Sequence, residues 1–419
     1  MMTRVLDVYL FDRFVGKLIQ NDMGKMQFRY DADWLKEENT STLSQSLPKP
    51  LSKQASTFSA KECLGFFGGI LPEESIRERI AKNLGISKEN SFAMLAEIGG
   101  ECAGAVSFIP EGGTLSKGDP HYQSLSEAEL AVILNDLPRR PLMAGEAGVR
   151  LSLAGAQDKI TIRYIDNHFS IPLNGAPSTH ILKPAIRQFE DSVTNEAVCM
   201  KLAGEIGLPV AEVEILPIEN VPVLSVARFD RQISKDGSIK RLHQEDFCQA
   251  LGIVSEMKYQ SEGGVSLKQA FSLLRTASTV PAINLQHLLD ATLFNFFIGN
   301  NDAHGKNFSL LYEKDTVRLS PLYDLLSTAY YPELSKRMAM NIGREYRSEA
   351  LEPSHFEKLA VDAGLSKSAL LQRVPLMANK ILAALPKVSQ GLPAASQLKA
   401  NKLIEFIDGY VTKIRKRFD

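Results

Sequence analysis

An apolar helix that runs into a short polar loop is the feature that most constrains this chain of 419 residues. Residues 285–298 read as an amphipathic to fully apolar helix, and its aromatic residues (Phe294, Phe296 and Phe297) are typical of a core. The loop after this helix carries Asp302 and, five positions later, Asn307. A predicted hairpin then leads to Asp324. The helix therefore leads into a loop of polar side chains, and their function has to be explained.

The spacing of these three residues follows the order of a protein-kinase catalytic loop. In kinases an acidic base precedes a metal-binding Asn by five residues, and a metal-binding Asp follows one short hairpin later. On this interpretation Asp302 accepts the hydroxyl proton, while Asn307 and Asp324 hold magnesium on the phosphates of ATP. Two neighbours in the loop, His304 and Lys306, are predicted to lie beside the γ-phosphate. The pattern predicts a phosphotransferase.

Composition limits the other classes of function. Hydrophobic residues make up 44% and charged residues 23% of the chain, and no apolar run approaches the roughly 20 residues that span a bilayer. The start lacks the features of an export signal, so we expect a soluble cytoplasmic protein without a membrane segment. A net charge of −1 excludes attraction of nucleic acid by the whole surface. The basic cluster at residues 413–417 is interpreted as a solvated helix end, with a phosphate contact as the alternative.

The four cysteines (Cys63, Cys102, Cys199 and Cys248) are far apart and form no CxxC pair. Buried reduced thiols are therefore favoured over a zinc site or a disulfide framework.

The amino-terminal region reads as a small module over residues 1–110. Residues 8–11 and 26–30 are predicted strands joined by the turn at 21–24, and residues 103–109 form another. Helices are predicted at about 60–67 and after Pro72. A linker over 111–148, with a helix near 127–134, precedes a strand-rich subdomain at 149–230, and residues 231–419 form the last region.

The strand-rich subdomain is predicted to bind the nucleotide. Between strands at 149–153 and 159–164 lies a loop of small and polar residues whose backbone amides could surround phosphate oxygens (Ala154, Gly155, Ala156, Gln157, Asp158 and the following Lys159), although such a segment is often only a turn. A strand at 168–171 follows the turn Asp166–Asn167.

The next predicted strand, 179–183, ends at Lys183, which resembles the phosphate-binding lysine of kinase strand β3. A charge that protects a sheet edge is the alternative. The predicted helix at 191–204 carries Glu196, which could pair with Lys183. After a buried strand that begins at Val221, Ala227 and Phe229 are the candidates for contacts to adenine.

Five segments of the sequence together resemble the HipA toxin family. They are residues 150–159, 243–249, 258–264, 301–308 and 322–324, the last including Tyr323. The amino-terminal segments 66–72 and 97–106 are also similar to that family, so the resemblance extends over nearly the whole chain. It implies an α+β fold, with a small amino-terminal α/β module and a protein-kinase-like (HipA-type) domain whose carboxy-terminal lobe is mainly helical.

The resemblance also implies a function. HipA proteins are ATP- and Mg²⁺-dependent serine/threonine kinases, the toxins of toxin–antitoxin pairs whose antitoxin, HipB, is a helix-turn-helix protein that binds operator DNA. They phosphorylate proteins of translation, such as an aminoacyl-tRNA synthetase, and slow growth toward a drug-tolerant state. Their autophosphorylation site matches Ser152. A phosphate there adds a charge of about −1.5 to −2 beside the predicted nucleotide loop, which should oppose ATP binding.

Other interpretations stay open at the level of sequence. Asp324 is followed by Leu325 and Leu326 instead of Phe-Gly, so a kinase activation switch of that type is not expected. Asp302, His304 and Asp324 could instead ligate a metal in a phosphoesterase or nuclease. A non-catalytic nucleotide-binding corepressor partner of HipB is the third interpretation.

Overall fold

The amino-terminal module is built on an antiparallel sheet. The computed structural model of the chain describes residues 4–37, 41–50, 57–113 and 120–418. In this module the elements are β1 (Arg4–Leu10), β2 (Arg13–Gln20), β3 (Met26–Tyr30), α1 (Ala32–Lys36), β4 (Thr57–Phe58), α2 (Ala60–Cys63), α3 (Glu74–Leu84), α4 (Ser91–Ile98), β5 (Glu101–Cys102) and β6 (Val106–Pro110). The strand order is β4-β3-β2-β1-β6. A π-helical turn, Leu64–Gly68, extends α2.

Strand β2 was missed by the sequence prediction, which joined residues 8–11 directly to 26–30. Phe11 and Asp12 both take positive φ angles, 52° and 61°, and form the tight turn from β1 into β2. Because this turn contains no glycine or proline, the sequence does not reveal it. The strand predicted at 103–109 begins later, since Gly104 with φ 78° makes a turn between β5 and β6.

A second sheet follows, with strand order β12-β13-β11-β9-β10-β7. The elements of this region are β7 (His121–Leu125), α5 (Glu127–Asp136), β8 (Leu151–Ser152), β9 (Ile160–Ile165), β10 (His168–Leu173), β11 (His180–Lys183), α6 (Ser192–Glu205), β12 (Val213–Ile218) and β13 (Val221–Ala227). The linker helix and the turn at Asp166–Asn167 are confirmed.

The strand predicted at 149–153 proved to be only the two-residue β8, and it does not pair with β9. It pairs in parallel with β5, so that Cys102 lies opposite Ser152. The start of the candidate nucleotide loop is thus attached to the amino-terminal module.

The carboxy-terminal region is mainly helical, as predicted. It contains β14 (Arg231–Ile233), β15 (Ile239–Arg241), β16 (His243–Asp246), α7 (Phe247–Ala250), α8 (Leu267–Ala277), α9 (Pro281–Ile298), β17 (Ser309–Glu313), β18 (Thr316–Leu319), β19 (Arg337–Ile342), β20 (Glu345–Arg347), α10 (Pro353–Ala363), α11 (Lys367–Val388) and α12 (Ala394–Arg415). The phenylalanines of α9 are buried, and all four cysteines are buried and free. No helix in the described ranges is long and apolar enough to cross a membrane.

Two hydrophobic cores hold these layers together. One is shared by the amino-terminal module and the second sheet and includes Phe28, Phe66, Ile160 and Leu182. The other joins α6 to helices α8–α12. Each fully buried large apolar side chain contributes about 1.5–3 kcal/mol. The first core crosses the predicted boundary between residues 1–110 and 149–230, so these two regions share one core.

A buried ion network strengthens the same junction. Glu101 of β5 accepts hydrogen bonds from Arg228 at 2.9 Å and from Arg231 at 2.7 Å, and Asp230 pairs with both arginines. Although burial opposes its ionisation, the arginines lower the pKa of Glu101 to about 2. Removing one member would leave an uncompensated buried charge, which typically costs about 3–5 kcal/mol. The amino-terminal module is therefore fixed firmly against the end of β13.

Candidate active site

The polar loop predicted from the sequence begins where α9 ends. Gly299, with φ 70°, caps the helix by donating to the Asn295 and Phe296 carbonyls. The Asn301 N–H then donates to Thr328 Oγ1 at 2.7 Å, and the Asp302 N–H to Asn300 Oδ1 at 3.2 Å. These bonds hold the loop in one conformation directly after a rigid helix.

Lys183, Glu196, Asp324 and Asn307 converge at one point. The Lys183 ammonium donates to Glu196 Oε1 at 2.7 Å and to Asp324 Oδ1 at 2.8 Å. Asn307 Nδ2 donates to Asp324 Oδ2 at 2.8 Å. The predicted pairing of Glu196 with Lys183 is confirmed. The Lys183 and Glu196 side chains are 10% and 6% exposed, whereas Asp324 is 39% exposed. A ligand can therefore reach the Asp324 carboxylate.

Charge pairing keeps this centre ionised. Although burial disfavours both charges, their mutual attraction raises the pKa of Lys183 and lowers that of Asp324 to about 2. Burial is the larger influence on Glu196 and raises its pKa. Asp324 adopts a positive φ of 58°, an uncommon conformation that Asp tolerates and that recurs at functional sites. The centre presents an anionic carboxylate beside a buried cation.

The small-residue loop lies next to this centre. Gly155 takes a φ of 108°, and Lys159 Nζ donates to the Ala154 carbonyl at 3.1 Å. Burial, together with repulsion from Lys183, lowers the pKa of Lys159 to about 8. Two ammonium groups that repel one another favour an anion between them, so this pair suits a phosphate chain.

The other predicted residues of that loop face different neighbours. Gln157 Nε2 donates to the Pro184 carbonyl at 3.3 Å, just beyond Lys183. Asp158 forms an ion pair with Arg79 of α3 at 3.0 Å, so its side chain ties the loop to the amino-terminal module. Ala156, at the loop tip, is exposed.

Ser152 is completely buried in β8. Its hydroxyl donates to the Ile70 carbonyl at 3.0 Å. In this conformation the hydroxyl cannot be phosphorylated, because it is shielded from solvent and already bonded. Modification of Ser152 would require the loop to leave this position.

The predicted adenine contacts lie at the end of β13. The Phe229 ring packs against Tyr323, with ring centroids 5.5 Å apart, and Tyr323 Oη donates to the Lys306 carbonyl at 2.7 Å. The Ala227 N–H is already bonded to the Glu212 carbonyl at 2.9 Å. The Ala227 N–H is thus committed within the fold, and an adenine contact there would have to use another atom.

Lys306 and His304 are both buried. Lys306 Nζ donates to Asp246 Oδ2 at 2.7 Å and lies 3.5 Å from Glu73 Oε1. Its ammonium therefore anchors the loop, and a phosphate contact would require it to leave two carboxylates. Burial lowers the pKa of His304 and favours the neutral ring, whose Nδ1 has no hydrogen-bond partner among the described residues. Because that nitrogen is also shielded from solvent, a ligand could contact it only if the neighbours of His304 moved.

Sequence reasoning assigned no role to Glu73, Asp246, Lys258 or Tyr259. Tyr259 Oη donates to Asp302 Oδ1 at 2.9 Å, and Lys258 Nζ lies 3.2 Å from Glu73 Oε2. Three of these residues fall in the segments that carry the family resemblance, but nothing in their spacing relates them to Asp302. Only the folded chain brings them together.

Asp324 and Asn307 carry oxygen atoms of the kind that bind magnesium. Mg²⁺ binds through one or two carboxylate or amide oxygens and completes its shell with phosphates and water. The Asn307 side-chain Oδ1 accepts the His304 N–H at 3.0 Å while Nδ2 faces Asp324, so the amide would have to turn for Oδ1 to share an ion with Asp324. Within the described ranges no group of three or more His, Cys, Asp or Glu side chains is placed to hold a metal. The phosphoesterase interpretation needs Asp302, His304 and Asp324 around one ion, an arrangement that is not found among the described residues.

Comparison with known proteins agrees with this geometry. Residues 6–109 match the family described as HipA N-terminal domain, and residues 151–385 match HipA-like C-terminal domain. The chain is 45% identical to "Putative kinase Y4mE" of Sinorhizobium fredii, over 93% of this chain and 92% of that protein. It is 29% identical to the serine/threonine-protein kinase toxin HipA of Shewanella oneidensis, over 99% and 95% of the two chains.

A solved structure extends the likeness to the fold. It is the complex of HipA, HipB and operator DNA from the Shewanella oneidensis MR-1 toxin–antitoxin system. The match has a TM-score of 0.85 at 27% identity and covers 98% of this chain and 97% of that one.

Proposed function

Because the chain belongs to the HipA family, we propose that it is the toxin of a type II toxin–antitoxin pair and acts as an ATP- and Mg²⁺-dependent serine/threonine protein kinase. The observation that carries this proposal is the meeting of Lys183, Asp324 and Asn307 within hydrogen-bond distance, beside the loop of Asp302. That constellation has the parts and the order of a phosphotransferase site.

Each residue has a distinct part in the proposed reaction. Lys183 binds the α- and β-phosphates, while the backbone of residues 154–158 and Lys159 close over the phosphate chain. Asn307 and Asp324 would hold Mg²⁺, which neutralises phosphate charge when bound. Asp302 accepts the proton of the substrate hydroxyl while the hydroxyl oxygen bonds to the γ-phosphorus. The bond between the γ-phosphorus and the oxygen of the β-phosphate breaks at the same time, which leaves ADP. Phe229 and Tyr323 line the side on which adenine is proposed to bind.

We further propose that autophosphorylation at Ser152 inactivates the enzyme. Among the described residues, the one hydrogen bond of the buried Ser152 hydroxyl is to the Ile70 carbonyl, and no cation bonds it. A phosphate there would repel both that carbonyl and the phosphates of ATP. The modified loop would have to leave the site, so it would no longer close over the phosphates of the nucleotide.

The proposed partners follow from the family. The Shewanella oneidensis relative was solved with HipB and operator DNA, which supports a HipB-like helix-turn-helix antitoxin for this chain and a contact to DNA mainly through it. The proposed substrate is a cytoplasmic protein of translation, such as an aminoacyl-tRNA synthetase, whose phosphorylation would slow growth toward a drug-tolerant state.

Intact-mass measurement tests the kinase activity. Phosphatase-treated protein incubated with ATP and Mg²⁺ should gain about 80 Da per transferred phosphoryl group. The Asp302→Asn variant should gain mass about 10²- to 10⁴-fold more slowly, and the unaltered protein with excess chelator should not gain mass. No gain in the unaltered protein, with ATP shown to bind, would favour the non-catalytic corepressor interpretation.

A further inference from the structure

Tyr259 makes a contact that the proposed mechanism does not yet use. It lies between α7 and α8, and its phenol donates to Asp302 Oδ1 at 2.9 Å. We propose that Tyr259 is a positioning residue for the base Asp302, and that the amino-terminal module controls it through the ion pairs of Lys258 with Glu73 and Glu74. This inference rests on the proposed kinase activity.

The Asp302 carboxylate needs such a partner. Its backbone N–H is bonded to Asn300, but among the described residues Tyr259 is the side chain that donates to its carboxylate. A carboxylate that rotates freely presents either oxygen in many directions. Because Tyr259 holds Oδ1, Oδ2 remains for the hydroxyl of the substrate. Burial and the nearby Asp302 charge raise the pKa of Tyr259, so its phenol stays protonated and keeps donating.

The Tyr259 ring is itself held on two sides. It packs edge-to-face with the His304 ring, with centroids 5.7 Å apart. Lys258 Nζ lies 5.5 Å from the centroid of the same ring, a distance typical of a cation–π contact. The next residue, Gln260, accepts the Asn341 N–H at 2.9 Å and fixes the backbone against β19. The phenol is therefore aimed at Asp302 by the packing around it.

Lys258 connects this arrangement to the amino-terminal module. Its ammonium lies 3.2 Å from Glu73 Oε2 and 3.0 Å from Glu74 Oε1, and its side chain is 11% exposed. Although burial opposes the charge, Glu73 and then Glu74 raise the pKa of Lys258. Glu73 and Glu74 of the amino-terminal module thus hold Lys258, which belongs to the carboxy-terminal region.

Glu73 contacts three parts of the site at once. Besides Lys258, its carboxylate lies 3.5 Å from Lys306 of the catalytic loop. Its backbone N–H donates to the Gly155 carbonyl in the nucleotide loop at 3.2 Å. A displacement of the segment around Glu73 would change the nucleotide loop, Lys306 and the support of Tyr259 together. The amino-terminal module is in this way part of the catalytic machinery.

Single-turnover autophosphorylation tests the role of Tyr259. With saturating ATP and Mg²⁺, Tyr259→Phe should lower the rate constant about tenfold. The ATP concentration at half-saturation should change less than about twofold, because the phenol acts on the base and not on the nucleotide. Tyr410→Phe is the matched control, since its phenol bonds Ser348 elsewhere in the same lobe. That control should react at the unaltered rate.

A double-mutant cycle separates positioning from general stability. If Tyr259 acts only through the carboxylate, Tyr259→Phe should cause no further loss in the Asp302→Asn background. Equal rates for Tyr259→Phe and the unaltered protein, or equal losses in both backgrounds, would overturn the role of Tyr259 while leaving the kinase proposal intact. No transfer by the unaltered protein would overturn both.

A second cycle tests the link to the amino-terminal module. Lys258→Met should slow transfer several-fold, and combining it with Tyr259→Phe should add little, because Lys258 contacts Glu73, Glu74 and the Tyr259 ring and both changes disturb the same support of Asp302. Lys88→Met is the control, since that exposed ammonium faces Glu78 at 3.7 Å. Additive losses from Lys258→Met and Tyr259→Phe would overturn this part of the inference.

Discussion

The Lys183 ammonium and the Asp324 carboxylate are 141 positions apart in the chain, yet Nζ and Oδ1 lie 2.8 Å from each other. Lys183 ends a strand of the second sheet, and Asp324 follows a hairpin of the helical lobe. Their contact brings the two lobes together at the candidate phosphate site. Both groups are proposed ligands for Mg²⁺-ATP, and a nucleotide bound there would contact both of them.

Replacing Lys183 with Met should reduce ATP affinity at least tenfold. The change removes the proposed phosphate contact and leaves Glu196 buried without its cation. Isothermal titration calorimetry measures the affinity, and circular dichroism verifies the fold. Lys240→Met, on the exposed side of β15, should bind ATP as the unaltered protein does. An unchanged affinity in Lys183→Met would show that Lys183 serves only its ion pairs with Glu196 and Asp324.

Ser152→Asp should weaken ATP binding while the chain stays folded. The new carboxylate would face the Ile70 carbonyl in a buried site, so the start of the nucleotide loop should be displaced. Ser152→Ala removes the hydroxyl without adding charge and should keep most of the affinity. If calorimetry gives the same dissociation constant for Ser152→Asp as for the unaltered protein, charge at this position does not control the loop.

Glu245 should make stability depend on pH. Burial raises its pKa from 4.5 to about 7, against the lowering effect of hydrogen bonds from Ser44 and Tyr312. A raised pKa favours the protonated acid in the folded state. The contribution of protonated Glu245 to the stability of the fold is therefore complete below pH 4.5 and is lost as pH rises through about 7. Between pH 5 and 7 the free energy of unfolding should fall, relative to Glu245→Gln, by up to about 1.4 kcal/mol per pH unit.

Denaturant titrations of both proteins across that pH range measure this difference. Because Glu245 joins residues 44 and 45 of the amino-terminal module to β16, the Gln variant keeps a similar shape and can still form hydrogen bonds. Parallel pH profiles for the two proteins would show that Glu245 is ionised in the folded state.

The sequence predicted the local parts of the site well. The apolar helix α9 and the strand that ends at Lys183 are each determined by neighbouring residues, and the structure has both as expected. The contacts among Lys183, Asp324 and Asn307 could be anticipated only by comparison with kinases. Their roles toward ATP and magnesium stay predictions.

The contacts of the amino-terminal module could not be predicted. Glu73 contacts Lys258, which is 185 positions away in the chain, and no sequence pattern in either segment predicts that contact. The length of β8 was likewise overestimated. Its pairing with β5 depends on how the amino-terminal module packs against the residues that follow it. Long-range ion pairs and parallel pairing of short strands arise from tertiary structure, whereas helices and hairpins arise from local pattern.

A crystal structure with magnesium and a non-hydrolysable ATP analogue tests the central claim most directly. The account predicts that Mg²⁺ lies about 2.0–2.1 Å from oxygens of Asp324 and Asn307. It also predicts the Lys183 ammonium on the α- or β-phosphate and the γ-phosphate facing Asp302. A nucleotide bound elsewhere, with Lys183 still paired only to Glu196 and Asp324, would contradict it.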